Sequence, residues 1–344
     1  MMRWLVKVDD TNWQPSPEQM ELLLSLQCQR EEMRIRALKN VNDSKRSLIG
    51  RMLLQKAACN ALGKTSLKFG RTKEGKPYLQ DHEAARRGLN LNVSHHGSWA
   101  VLAMEEKSLV GVDVSSTTPP RENLSFEAFF ESMEESLTKK EWRSIRNAGA
   151  TDEELFYAFF VFWVLKESYV KAVGIGLAVD TASVELIVPF EILCLRVQRQ
   201  RQGVDASLVT RIHRDSQIKV VVNGRVARNW EFELYMIGQD HLMGVAVGPH
   251  EDATESYKKA MSELLDAEED GMENNVPRRG SLLSMDSDSS SVGTYSKSSS
   301  FDSEYSVSDS FNEEEELLSG LRTMSVVDLL PQDLIEKYVQ LAPA

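Results

Sequence analysis

The sequence predicts an α+β fold, and three observations carry that prediction. Helical apolar patterns and short strand-like alternations recur in both halves of the 344 residues. Glycines punctuate the strands, and Pro119 and Pro120 interrupt the chain between the halves. From about residue 251 the composition changes to acidic and serine-rich.

The opening RWLVKV alternates like a strand, and Ser16 to Leu26 follows Pro15 as an amphipathic helix. Asp43 to Leu62 gives a second helix, closed by Gly63. SLKFGRTKEGKPYL, LNLNVSHHGSWAVLAME and LVGVDVS then read as strands and turns. Beyond the prolines, SFEAFFESM, LTKKEWRSIRN and the run from Asp152 to Val173 are helical, and Thr138 with Glu141 forms a capping box. ASVELIVP, SQIKVVVNG and LMGVAVG are the strands expected after them. The expected divisions are an N-terminal lobe over 1–118, a C-terminal lobe over 119–250 and an acidic, serine-rich disordered tail over 251–344. Fourteen of the 30 residues from Ser281 to Ser310 are serine, which predicts disorder, and SVVDLLPQDLIEKYVQL regains the spacing of a short terminal helix.

The formal net charge of -12 conceals an asymmetry, because residues 251–344 hold 21 acidic and 7 basic side chains and leave residues 1–250 at +2. Such a body, with local basic clusters, suits a compact anion better than a nucleic acid, which favours a broad basic face. Cys28, Cys59 and Cys194 have no metal-ligand spacing and fit a reducing compartment. The longest apolar run, Leu155 to Leu165, has 11 residues against the roughly 20 that span a bilayer. No signal-peptide core opens the chain, so a soluble cytosolic protein without membrane contact is expected.

Four clusters carry candidate chemistry. FGRTKEGKPY places Arg71, Lys73 and Lys76 on a tight turn where cations and backbone donors surround a phosphate, or form a solvated basic hairpin. NLNVSHHGSWAV brings Ser94, His95 and His96 to a strand end; adjacent histidines face opposite sides, which argues against a metal clamp. In LVGVDVS, Asp113 sits in a β-branched run, either as a carboxylate needing a partner or metal or as a polar strand edge. In FWVLKESYVKAVGIGL, Glu167 and Lys171 form an i,i+4 pair, which in isolation is an ordinary helix-end salt bridge.

Together, and in this order, Gly70-Arg71-Thr72 with Gly75-Lys76-Pro77, Asn92-Val93-Ser94-His95, Gly111-Val112-Asp113 and Trp163-Val164-Leu165-Lys166-Glu167-Ser168-Tyr169-Val170-Lys171 resemble the signatures of 4′-phosphopantetheinyl transferases. The likeness is to the larger, two-lobed, surfactin-synthetase-activating class and its eukaryotic aminoadipate-semialdehyde dehydrogenase type, over residues 1–248. It implies two pseudo-twofold lobes meeting at a coenzyme A cleft, with Asp113 from the first lobe and Glu167 from the second. It further implies transfer of the phosphopantetheine arm to a serine of an acyl or peptidyl carrier protein, with release of adenosine 3′,5′-bisphosphate. Asp113 and Glu167 would hold Mg2+, Glu167 would take the serine proton and Lys171 would face the diphosphate. Arg34, Arg71, Lys76, Asn92, Ser94 and His95 would hold the nucleotide. Ser115 stands where some members carry a further acid, so water would complete the metal shell. Fatty acid synthase, aminoadipate-type reductase and a mitochondrial carrier protein are candidate substrates, and a monomer is sufficient.

The competing expectation is a non-catalytic coenzyme A-binding scaffold with a phosphorylatable tail, where Arg278-Arg279-Gly280-Ser281 has the form of a basophilic kinase site. It would be marked by loss of the acid pair, and both acids are present.

Overall fold

The computed structural model of the chain describes residues 1–8, 13–118, 125–176, 183–194, 210–215, 217–273 and 321–342. In the first half, β1 (Met2–Lys7) leads to α1 (Pro17–Ser25), α2 (Gln29–Arg36) and α3 (Val41–Leu62). A hairpin of β2 (Phe69–Arg71) and β3 (Pro77–Leu79), the short α4 (His82–Arg87), and strands β4 (Asn90–His96), β5 (Trp99–Glu105) and β6 (Leu109–Ser116) follow. The second half contains α5 (Phe126–Met133), α6 (Lys139–Asn147), α7 (Asp152–Val173), β7 (Val184–Ile187) and α8 (Phe190–Leu193). Strands β8 (Thr210–Asp215), β9 (Lys219–Val222), β10 (Arg225–Val226), β11 (Glu231–Ile237) and β12 (His241–Gly248) precede α9 (Glu255–Glu273), β13 (Leu321–Met324) and α10 (Gln332–Gln340).

Helix ends fall where side chains satisfy the free backbone donors. Ser16 with Gln19, Thr138 with Glu141, and Thr151 with Glu154 form reciprocal capping boxes on α1, α6 and α7. Gly174, with φ of 85°, closes α7 in the left-handed conformation that a side chain resists.

Strand alternation sorts the apolar residues into layers. In the sheet ordered β13-β1-β5-β4, Trp4, Val6, Ala100 and Leu102 pack toward the 22-residue α3. Leu5, Val101 and Ala103 face the second sheet, ordered β6-β12-β11-β8, and meet Val112, Tyr235 and Met243 there. The outer face of that sheet, with Phe232, Leu234 and Leu242, packs on the 22-residue α7. The order is helix, sheet, sheet, helix. Arg3 crosses the inner layer, donating to Glu233 at 2.8 and 3.1 Å and to Glu105 at 2.6 Å, and is 1% exposed. Removing one partner of such a buried pair costs about 3–5 kcal/mol.

Two features differ from the sequence-based expectation. First, Asp113 does not belong to a first-lobe sheet: β6 is laddered antiparallel to β12, with Asp113 opposite Gly244, so the change of sheet falls between β5 and β6. Pro119 and Pro120 lie outside the described residues. The physical reason is the β4–β6 boundary, where asparagine side chains replace a backbone ladder: Asn90 and Asn92 Oδ1 accept from Val110 and Val112 N–H, each at 2.9 Å. Second, the region after residue 250 contributes to the core. Tyr257 on α9 is 3% exposed, and β13 pairs in parallel with β1. The short terminal helix read from SVVDLLPQDLIEKYVQL is α10, and it docks on the N-terminal core: Trp13 Nε1 donates to Tyr338 Oη at 2.8 Å, and Gln19 Nε2 donates to the Tyr338 carbonyl at 2.9 Å. Ser281 to Ser310 and the Arg278-Arg279-Gly280-Ser281 sequence lie outside the described residues.

Candidate active site

The site forms where α7 comes closest to β6. A Cβ added at Gly111 would stand 2.0 Å from the Ser168 carbonyl oxygen, so only glycine lets the helix backbone press against the strand. Asp113 follows two residues later on β6, and Glu167 and Lys171 flank Ser168 on α7. Backbone contact at one residue thereby sets the spacing of these three side chains.

Lys171 Nζ donates to Asp113 Oδ1 at 2.5 Å and to Ser94 Oγ at 2.9 Å, and Ser94 Oγ donates to Asp113 Oδ1 at 2.9 Å. Asp113 is 6% exposed, while Lys171 retains 30% of its side-chain surface and faces the cleft. Burial, and then the neighbouring Asp113 carboxylate, raise the Glu167 carboxyl above the usual carboxylate range. Two acids that repel one another at a partly open cleft form an oxygen donor set suited to a hard cation. Among the described residues no group of three or more His, Cys, Asp or Glu side chains is placed to hold a metal ion. A cation on the Asp113–Glu167 pair would therefore need substrate oxygens and water to complete its shell. That arrangement fits magnesium, which keeps several waters and binds through one or two carboxylates.

The opposite wall is cationic. Two adjoining cavities of about 220 and 280 Å³ share Arg51, Val93 and Lys171; Arg71 and Asn92 line the first, and Arg34, Ser94 and His95 the second. Glu31 gathers the arginines, with Arg51 Nε at 3.0 Å, Arg71 at 3.2 Å and Arg34 at 3.7 Å. Burial opposes the charge of Glu31, but Arg51, Arg71 and Arg34 together hold its carboxyl below the usual range. Burial, and then Arg71, push Arg51 down to about 10, which leaves it charged at neutral pH. Burial first, and then Arg46 and Lys171, hold the His95 imidazole below its ordinary value.

Of the nine residues singled out in the sequence, Arg34, Arg71, Lys76, Asn92, Ser94, His95 and Lys171 line the two cavities, and Asp113 and Glu167 adjoin them beside Lys171. Two of these cavity-lining residues bond to the protein itself. Asn92 accepts from Val112 N–H and joins the sheets, and the Lys76 ammonium donates to the carbonyls of Val110, Lys171 and Ala172 at 3.3, 3.0 and 2.9 Å. Lys166, adjacent to Glu167, turns into the core and pairs with Glu141 Oε2 at 2.7 Å. Arg51 and Glu31 escaped the sequence reading. The only signal was their placement: Arg51 follows Gly50 on the helix beside β4, and Glu31 precedes Arg34 by one turn.

Residues 11–107 match the family described as 4′-phosphopantetheinyl transferase, N-terminal, and residues 109–240 match the 4′-phosphopantetheinyl transferase superfamily. The chain is 31% identical over 252 residues to the L-aminoadipate-semialdehyde dehydrogenase-phosphopantetheinyl transferase of Xenopus laevis, covering 72% of this chain and 76% of that protein. To its counterpart in Mus musculus it is 30% identical over 240 residues, 68% of this chain and 71% of that protein. To the 4′-phosphopantetheinyl transferase of Bacillus subtilis it is 30% identical over 173 residues, 49% of this chain and 70% of that one. With both family regions matched in order, the chain belongs to the 4′-phosphopantetheinyl transferases.

Proposed function

We propose that this enzyme transfers the 4′-phosphopantetheine arm of coenzyme A to a serine of an acyl or peptidyl carrier protein. The observation that carries the reading is the Asp113–Glu167 pair, with Lys171 between it and an arginine-lined cleft. The serine oxygen attacks the β-phosphorus of coenzyme A and forms the new P–O bond. The bond from that phosphorus to the bridging oxygen breaks, and adenosine 3′,5′-bisphosphate leaves with the bond's electron pair. Glu167 takes the serine proton, a role favoured by a carboxyl whose proton affinity burial raises. Lys171, hydrogen-bonded to Asp113 and Ser94, is positioned to neutralise diphosphate oxygens. Arg34, Arg51 and Arg71 hold the nucleotide phosphates, and His95 borders them. Asp113 and Glu167 would hold magnesium, which supplies charge neutralisation on the diphosphate when bound.

One chain supplies both acids and all the cations, which supports a monomer. The paired arrangement of a sheet with a 22-residue helix in each half supports pseudo-twofold lobes. No described helix is long and apolar enough to cross a membrane, and a cytosolic site of action accords with the three free cysteines.

The test incubates the protein with coenzyme A, magnesium and a panel of apo carrier proteins from fatty-acid, aminoadipate-type and mitochondrial systems. The expected result is a mass gain of one phosphopantetheine arm on at least one carrier, with stoichiometric adenosine 3′,5′-bisphosphate. No gain on any carrier contradicts the reading.

A further inference from the structure

Lys76 lies in the loop expected to cradle phosphate, yet its ammonium is buried, with the residue 5% exposed. An ammonium has three donors, and all three of these have backbone acceptors. Two acceptors, the carbonyls of Lys171 and Ala172, belong to the last turn of α7, and the third, Val110, lies on β6. Burial brings the Lys76 amine down to about 7, and its N–H donors satisfy carbonyls at the negative end of the helix and fasten that end to the strand beside it. The stem of Lys76 packs under the helix stop, since a Cβ at Gly174 would stand 2.7 Å from Lys76 Cδ.

The other side of this ammonium is closed by α9, which lies beyond both matched family regions. The Tyr257 ring lies 5.7 Å from Lys76 Nζ, within reach of a cation–π contact. Asn90 Nδ2 donates to Tyr257 Oη at 2.8 Å, while Asn90 Oδ1 accepts from Val110 N–H. The entry into α9 is tied down as well: Thr254 N–H donates to the Val173 carbonyl at 3.1 Å, and Ser256 Oγ donates to Glu74 in the same loop as Lys76.

We propose that Lys76 is a positioning residue and that Tyr257 on α9 is its seat, the two together fixing the α7 turn that carries Lys171 against the β6 strand that carries Asp113. The phosphate loop thus acts through two separate groups. Arg71 faces the ligand, and Lys76 faces the protein. The segment entering α9 is a working part of the catalytic unit rather than the start of a tail. The inference rests on the transferase reading of the Asp113–Glu167 cleft.

The experiment compares wild type, Lys76→Met and Tyr257→Leu by calorimetric titration with coenzyme A and by carrier modification at saturating coenzyme A. Loss of a group that orients functional side chains costs about 10- to 100-fold in activity. That drop in kcat is expected for both variants with the coenzyme A Kd unchanged, a split that a ligand contact does not give. A raised Kd with kcat retained, or two variants matching wild type in both measurements, overturns the proposal. Wild-type protein supplies a second measurement that does not depend on the variants folding, by amine acylation followed by peptide mass mapping. Lys76 is expected to stay unmodified with and without coenzyme A while exposed Lys73 reacts. Modification of Lys76 in the free protein, whether or not coenzyme A protects it, overturns the proposal. Failure of the underlying reading is separately visible, as wild type that leaves every carrier unmodified.

Discussion

The two walls of the cleft are built differently. The acid wall is backbone against backbone: α7 rests on Gly111, and Asp113 is 6% exposed within a two-acceptor, two-donor network with Ser94 and Lys171. The cation wall is side chain against side chain, with Arg34, Arg51 and Arg71 gathered by the single carboxylate of Glu31 and Arg34 leaving 57% of its side-chain surface in solvent. Groups that act on reacting atoms need fixed geometry, and the first wall provides it. Groups that hold a flexible polyanion tolerate rotamer changes, and long arginine side chains provide them.

Breaking the first wall has the larger expected effect. Gly111→Ala puts a methyl into the Ser168 carbonyl, so α7 must shift away from β6. Overpacking of this kind costs about 1–3 kcal/mol of stability. A displacement of about 1 Å at reacting groups costs about 100-fold in rate. Chemical denaturation and carrier-modification kinetics check both, with coenzyme A affinity expected to be retained. A variant with wild-type kcat would show that the close approach does not position the acids.

Breaking the second wall should give the opposite pattern. Arg51→Ala removes a charge-assisted contact of about 1.5–3 kcal/mol, which corresponds to about a tenfold or greater rise in the coenzyme A Kd. The rate at saturating coenzyme A is expected to hold, and the salt dependence of binding to weaken. Loss of rate without loss of affinity would move Arg51 to the other wall.

The contrast also explains what the sequence made legible. Asp113, Glu167 and Lys171 stand in short motifs that were legible through their resemblance to family signatures, because alone the first reads equally as a polar strand edge and the other two as an ordinary i,i+4 pair. The start of α6 at Thr138 was legible from the sequence as well, because a cap is a local hydrogen bond. The destination of a long or amide side chain is not local. Lys76 reads as a phosphate cation until its three carbonyl acceptors come from elements 34 to 96 residues away. Asn90 and Asn92 read as strand polarity until β6 arrives 20 residues later with unpaired N–H groups. Arg51 lies in a helix whose sequence gives no sign that Glu31 and Arg71 will converge on it. The pairing of β13 with β1 joins the two ends of the chain, and four residues of strand at that separation leave no pattern to read.

The central claim is that Glu167 moves the serine proton while the cation wall binds the nucleotide, and Glu167→Gln tests it most directly. General base catalysis contributes about 10²- to 10⁴-fold, so single-turnover modification of an apo carrier should slow by that factor. The coenzyme A affinity measured on the same preparation should remain that of wild type. A Glu167→Gln enzyme that converts apo carrier at the wild-type rate would contradict the account.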